Sequence, residues 1–171
     1  MEILSGFDSY SIDHIKREQN KKADALIFTK EGDTDYIRER KWDKESGGNI
    51  DLNKAYYINN GVDNEAFHHS MHTNILEAPD LESDKFNVVY VGAIRPVNNV
   101  GNIVDAALRL IEYKDIQFLI YGDGIQRKIL EERVNKECIS NVRIKGFVEK
   151  KYIPYILSKS SVNILNYSQT Q

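Results

Sequence analysis

Phe86-Asn87-Val88-Val89-Tyr90-Val91-Gly92-Ala93-Ile94-Arg95-Pro96 is the stretch that decides the fold. Phe86 to Val91 is a β-branched and aromatic run that closes on Gly92. A nearly continuous apolar strand fits a sheet covered on both faces, and such sheets are parallel. The signature returns at Ile116 to Tyr121, closing on Gly122, and at Asn141 to Lys145, closing on Gly146. Val162 to Leu165 is a fourth run. Between the runs the apolar period lengthens from two to 3.6 residues. Val100, Ile103, Val104, Ala107, Leu110 and Ile111 fall on one helical stripe, and Ile125, Ile129, Leu130, Val134 and Cys138 on a second. Tyr152, Ile153, Ile156 and Leu157 make a shorter third, with Pro154 acceptable only in a first turn. Strand and helix in alternation predict right-handed βαβ units, and hence an α/β fold with a Rossmann-like, doubly wound parallel sheet.

The chain ahead of this rhythm is less regular. Ser11 or Asp13 could cap a helix running to about Lys22. Ala25 to Thr29 reads as a short strand, Gly32 to Arg40 as a helix, Trp42 to Asn49 as a loop, and Ala55 to Ile58 as a strand turned by Asn59-Asn60-Gly61. A strand-helix-strand piece of this size cannot bury a full core. It reads as the tail of a second Rossmann-like domain. The expected organisation is 1–67 for that remnant, 68–84 for a polar linker, and 85–171 for the front of the main domain.

Composition limits the function. The chain has 171 residues, 41% hydrophobic and 29% charged, with a net charge of −3. This is an ordinary globular balance, and nothing in it favours nucleic-acid binding. A single cysteine, Cys138, rules out an intramolecular disulfide and reads as a small buried residue at the end of its stripe. Met1 to Gly6 has no basic or apolar stretch of a signal peptide, and no apolar run approaches the ~20 residues a membrane helix needs. A reducing cytoplasm is the expected setting.

The residues that could carry chemistry stand where strands end, the edge at which open α/β sheets bind ligands. In Val91 to Asn99, Gly92 permits a close turn and Arg95 could grip a diphosphate with its guanidinium fork, or be a solvated arginine in a tight turn. In Tyr121-Gly122-Asp123-Gly124 the glycines permit close approach, and Asp123 could simply cap a helix beginning near Ile125. The third glycine of a dinucleotide fingerprint is missing, and no Walker motif occurs. In Lys145-Gly146-Phe147-Val148, backbone amides could read a base edge with Phe147 as a shield, or Phe147 could belong to the core. His68, His69 and His72 lie in the expected linker without a matching carboxylate, which favours solvated histidines over a metal site. Glu31 and Asp33 could face a cleft or merely start a helix.

The order of these segments carries a resemblance. Ala23 to Thr29 with Glu31-Gly32, then Tyr57 to Asp63 with Phe67, then Val89 to Gly92, Gly122-Asp123-Gly124, Asn141-Val142 and Gly146-Phe147-Val148 together resemble the retaining GT-B glycosyltransferases of family four. The likeness is nearest to members that build bacterial surface polysaccharides, such as amino-deoxysugar transferases, and runs from about residue 20 to the end. It implies two Rossmann-like domains facing across a cleft. The first would bind a lipid-linked glycan acceptor and the second a nucleotide-sugar, UDP- or GDP-linked. The sugar would be transferred with retention, without a metal or other cofactor, at the inner membrane face with peripheral membrane association.

Carried over by position, the donor-binding residues are Gly92, Arg95, Asn99, Gly122, Gly124, Phe147 and Val148. The family more often has an arginine where Ala93 stands and a lysine near Asn98 or Asn99, so one cation of the usual diphosphate site is missing. Its paired glutamates should follow Asn166-Tyr167, and its glycine-rich acceptor loop and catalytic histidine should precede this sequence. None of His14, His68, His69 or His72 matches that histidine, so no catalytic residue is assigned and the 171 residues alone are expected to be inactive. Two other readings remain: a non-enzymatic nucleotide-binding or interaction module, and another GT-B enzyme such as a sugar epimerase or phosphorylase.

Overall fold

The computed structural model describes residues 17–30, 32–81 and 84–166, in two compact units that divide between Val62 and Asp63. Ser11, Asp13 and Glu31 lie outside the described residues.

In the first unit, β1 (Leu26–Phe28) and β2 (Ala55–Tyr57) pair in parallel, with Leu26 opposite Ala55 and Phe28 opposite Tyr57. Helix α1 (Asp33–Glu39) crosses between them, with Asp33 and Asp35 at its positive end and Arg38 at the other. Leu26, Ile37, Trp42 and Ile50 form a small core. Trp42 meets Tyr36 edge-on at 5.7 Å. The loop expected from Trp42 is tied down: Asp43 accepts from the Ser46 amide at 2.8 Å, and the Ile50 amide bonds the Trp42 carbonyl at 2.9 Å. Ile27 and Tyr56, side by side on the other face of the ribbon, are exposed.

The second unit begins with α2 (Asn64–Thr73), capped by the Asp63 carboxylate, which accepts from the Ala66 amide at 2.9 Å. Part of the stretch expected as a linker is therefore helical. The helix packs on α5 (Ile153–Ser158), and Ser70 Oγ donates to the Lys151 carbonyl at 2.9 Å. It lacks a broad apolar stripe, which is why periodicity missed it.

Four strands follow: β3 (Phe86–Val91), β4 (Ile116–Tyr121), β5 (Val142–Gly146) and β6 (Val162–Ile164). They pair in parallel in the order β5-β4-β3-β6. The expected parallel, doubly wound sheet is what the chain forms. Alternation within the strands sends side chains to both faces. Tyr90, Phe118, Ile120 and Val142 pack with Ile103, Val104 and Ala107 of α3 (Gly101–Arg109) and Leu130 of α4 (Arg127–Lys136). Val89, Leu119 and Tyr121 pack with Tyr155 and Ile156 of α5 and with Leu81. Pro154 sits in the first turn of α5, where its missing N–H removes no helix bond.

The second stripe is shorter than its sequence pattern. Leu130 is buried, but Ile125, ahead of the start of α4 at Arg127, is 79% exposed, and Ile129 within the helix is 62% exposed. Cys138 is exposed rather than buried. It lies past the helix end at φ 52°, with its amide bonded to the Asn135 carbonyl and the Ile139 amide to that of Val134. That is the Schellman arrangement, with cysteine where glycine is usual.

At the opposite end of the sheet from the strand exits, two buried amides pair across β3 and β4. Gln117 Nε2 donates to Asn87 Oδ1 at 2.6 Å, and Asn87 Nδ2 donates to the carbonyls of Leu81 and Lys159. A one-residue slip would strand both amides away from their partners, so the pair enforces the register.

Candidate functional site

The exits of β3, β4 and β5 are laced together. Gly92 N donates to Tyr121 O at 3.0 Å, Ile94 N to Asp123 O at 2.9 Å, and Gly122 N to Gly146 O at 2.7 Å. The approach is so close that a Cβ on Gly122 would lie 1.8 Å from the Gly92 oxygen, and one on Gly124 would lie 2.4 Å from that of Ile94. Both glycines also hold φ near +150°, at 142° and 153°, where L side chains are strained. The two glycine turns picked out in the sequence are thus one structure: the second supplies the space the first occupies.

Over these exits lies a cavity of about 270 Å³ lined by Val91, Gly92, Ala93, Gly122, Asp123, Phe147, Val148 and Ile153. Gly92, Gly122, Phe147 and Val148 of the expected donor set come together here. Gly124 lies beneath, against the Ile94 carbonyl. Arg95 and Asn99 flank a single 3₁₀ turn, Pro96–Asn98, outside the lining. Arg95 is exposed and has no ion pair among the described residues. Asn99 is left-handed, at φ 46° and ψ 43°.

Phe147 does not join the core. It is 74% exposed, presenting an apolar ring at the rim. Asp123 does not cap α4, whose start carries no side-chain cap. Its carboxylate instead accepts from the Gly124 amide at 2.8 Å and faces Arg127 at 3.6 Å. Arg127 also binds Glu131 at 2.7 Å, and that hydrogen bond, with the Glu131 charge, raises its pKa further. The guanidinium lies against Gly146, where a Cβ would come within 2.9 Å of its Cζ. The Tyr121 hydroxyl is buried without a hydrogen-bond partner among the described residues. Burial, then the Asp80 carboxylate, pushes its pKa to about 12, so it stays neutral.

Sequence reading did not single out Ile153 or Asn166. Ile153 lay on a core stripe, and its place in the lining comes from α5 crossing the opposite face of the sheet. Asn166 follows β6 and donates through Nδ2 to the carbonyls of Asn98 and Asn99 at 3.2 and 2.7 Å. No local signal marks either contact. His68, His69 and His72 are exposed on α2, and no cluster of metal-binding side chains occurs among the described residues.

The family model for glycosyl transferases group 1 matches residues 72–169, more than half of the sequence. The chain belongs to that family. Among its relatives, the 2-deoxystreptamine N-acetyl-D-glucosaminyltransferase of Niallia circulans is 30% identical over 83 residues, 47% of this chain and 21% of that one. HepE from Anabaena, solved in complex with UDP, superposes at TM-score 0.68 and 15% identity over 95% of this chain and 44% of its own. WaaG, a glycosyltransferase involved in lipopolysaccharide biosynthesis, superposes at TM-score 0.65 and 11% identity over 98% and 46%. This group 1 glycosyl transferase chain thus spans less than half the length of the structures it matches, and at these identities the likeness establishes the fold. No helix among the described residues is long and apolar enough to cross a membrane.

Proposed function

We propose that the unit from Asp63 onward is the donor side of a retaining glycosyltransferase. It would bind a uridine or guanosine diphosphate sugar and serve transfer to a lipid-linked glycan acceptor in surface-polysaccharide synthesis at the inner membrane face. The unit ending at Val62 would belong to the acceptor side. The observation that carries the reading is the cavity at the strand exits, formed by Gly92, Gly122, Phe147 and Val148 in a group 1 glycosyl transferase chain. HepE has been solved with UDP and with UDP-glucose, and TarM from S. aureus with UDP and α-GlcNAc-glycerol, which supports uridine diphosphate as the first ligand to test.

Each residue has work suited to its chemistry. The Phe147 ring offers a stacking face for a base. Arg95, exposed on the turn leaving β3 and without an ion pair among the described residues, can swing to a diphosphate and neutralise the charge that develops on it as the sugar departs. Asp123 would repel a phosphate, and so suits a hydroxyl or base N–H donor instead.

Calorimetric titration of the chain with UDP and GDP tests the reading. Binding of one, displaced by the matching nucleotide-sugar, supports it. A folded chain that binds neither refutes it.

A further inference from the structure

Strand β6 pairs with β3 and not with its sequence neighbour β5. The chain therefore reverses its winding at this point, with α3 leaving β3 on one face and α5 reaching β6 from the other. A crevice opens outside the carboxyl ends of two such strands. Pairing ends at Tyr90 opposite Ile164, so Asn166 stands two residues further on, level with Gly92 across the crevice.

The Asn166 amide spans that gap, donating to the carbonyls of both Asn98 and Asn99. Those carbonyls end the turn that Arg95 begins. Asn98 N bonds Arg95 O at 3.0 Å, and Asn99 N bonds Pro96 O at 3.0 Å. Asn99 holds a left-handed backbone, which asparagine adopts more readily than other non-glycine residues, and the Asn166 amide ties the end of this turn from outside it. The Asn99 carbonyl also accepts from the Asn102 amide at 3.1 Å, so the same tether reaches the first turn of α3.

We infer that Asn166 is a positioning residue: it fixes the Arg95–Asn99 turn across the crevice and so sets where the Arg95 guanidinium stands for the donor's diphosphate. The inference rests on the nucleotide-sugar reading above. Asn166→Ala removes the donor group, and Asn166→Asp sets a carboxylate against two carbonyls.

The test measures UDP affinity, melting temperature and residue-resolved amide exchange on the full chain. UDP affinity should fall about tenfold for Asn166→Ala and further for Asn166→Asp. Exchange should quicken at Asn98, Asn99 and Asn102 but not within β4 or β5, with melting within a few degrees of the parent. If the parent binds UDP and both variants bind it equally well, the positioning role is overturned while the donor reading stands. If the parent binds no UDP, the donor reading fails and the role with it. A loss of affinity accompanied by faster exchange throughout β4 and β5 would make Asn166 merely structural, and overturn the inference.

Discussion

Replacing Gly122 with alanine should cost far more than a turn glycine normally does. The added Cβ would lie 1.8 Å from the Gly92 oxygen, where ordinary contact begins near 3.4 Å, so the exits of β3 and β4 must part by well over an ångström. Parting them breaks Gly92 N to Tyr121 O and Ile94 N to Asp123 O, each contributing about 1 kcal/mol. Holding a residue with a side chain at φ 142° costs about 1–3 kcal/mol more. The expected loss is roughly 3–5 kcal/mol, a large part of the 5–15 kcal/mol typical of a whole domain. Urea denaturation followed by far-ultraviolet circular dichroism measures it. Gly101→Ala is the internal control, because nothing lies within 4 Å of its Cβ and its φ is not positive. It should be neutral or stabilise by up to ~1 kcal/mol. If Gly122→Ala lies within about 1 kcal/mol of the parent, the two exits are not in the contact described, and the argument for a shared site floor fails.

Other perturbations separate the remaining roles. Cys138→Gly should stabilise the chain by about 0.5–1 kcal/mol by relieving a left-handed backbone at the end of α4, read as a higher urea midpoint. Arg95→Ala should weaken UDP binding about ten- to a hundredfold without moving the melting temperature, since the side chain has no ion pair among the described residues. An unchanged affinity would remove it from the site. Phe147→Ala should weaken UDP binding about tenfold, with at most a small effect on stability, because its ring is exposed. Acid should loosen the first unit selectively. Burial works to raise the Asp43 pKa, but the Ser46 hydrogen bonds, its own backbone amide and the Arg38 charge together hold the carboxyl below its usual 3.8. Asp51 is held low by the Lys44 hydrogen bond and the Asn53 amide. Both folded pKa values are depressed, so the unfolded state binds protons first. The stabilisation is present above about pH 4 and is lost as pH falls below it. Trp42, the single tryptophan, reports this: its fluorescence should change below pH 4 and stay constant from pH 5 to 8.

The strands of the second unit were legible because burial on both faces leaves near-continuous apolar runs, and Phe86–Val91 and Ile116–Tyr121 match their expected bounds. Helix stripes were legible where the helix is flanked by core, as with Val104 and Ala107, and overextended where the apolar pattern outran the helix, as at Ile125 and Cys138. Helix α2 was missed because its residues are mostly polar. The signal present was the Asp63 cap followed by Glu65. Of the site, the glycine turns could be read from the sequence but their interlock could not, since no pattern records that Gly122 makes room for the Gly92 carbonyl. The rim position of Phe147 and the reach of Asn166 depend on which strands become neighbours. That is a property of topology rather than of any window of residues.

The return of β6 to β3 also bears on the order of assembly. Strand β3 pairs with β4 and β4 with β5, each with the next in sequence, whereas β6 must close a loop from Tyr90 to Ile164. Long closures come late, because their entropy is lost before their contacts form. On this logic a chain emerging from the ribosome completes a three-stranded sheet with the Gly92 and Gly122 exits already interlocked, while the Arg95 turn still lacks its tether. Pulse-labelled exchange during refolding should show Leu119 protected before Asn163. Nucleotide would then meet a half-walled crevice until the last strand docks, making ligand binding a late checkpoint of folding and not a nucleus for it.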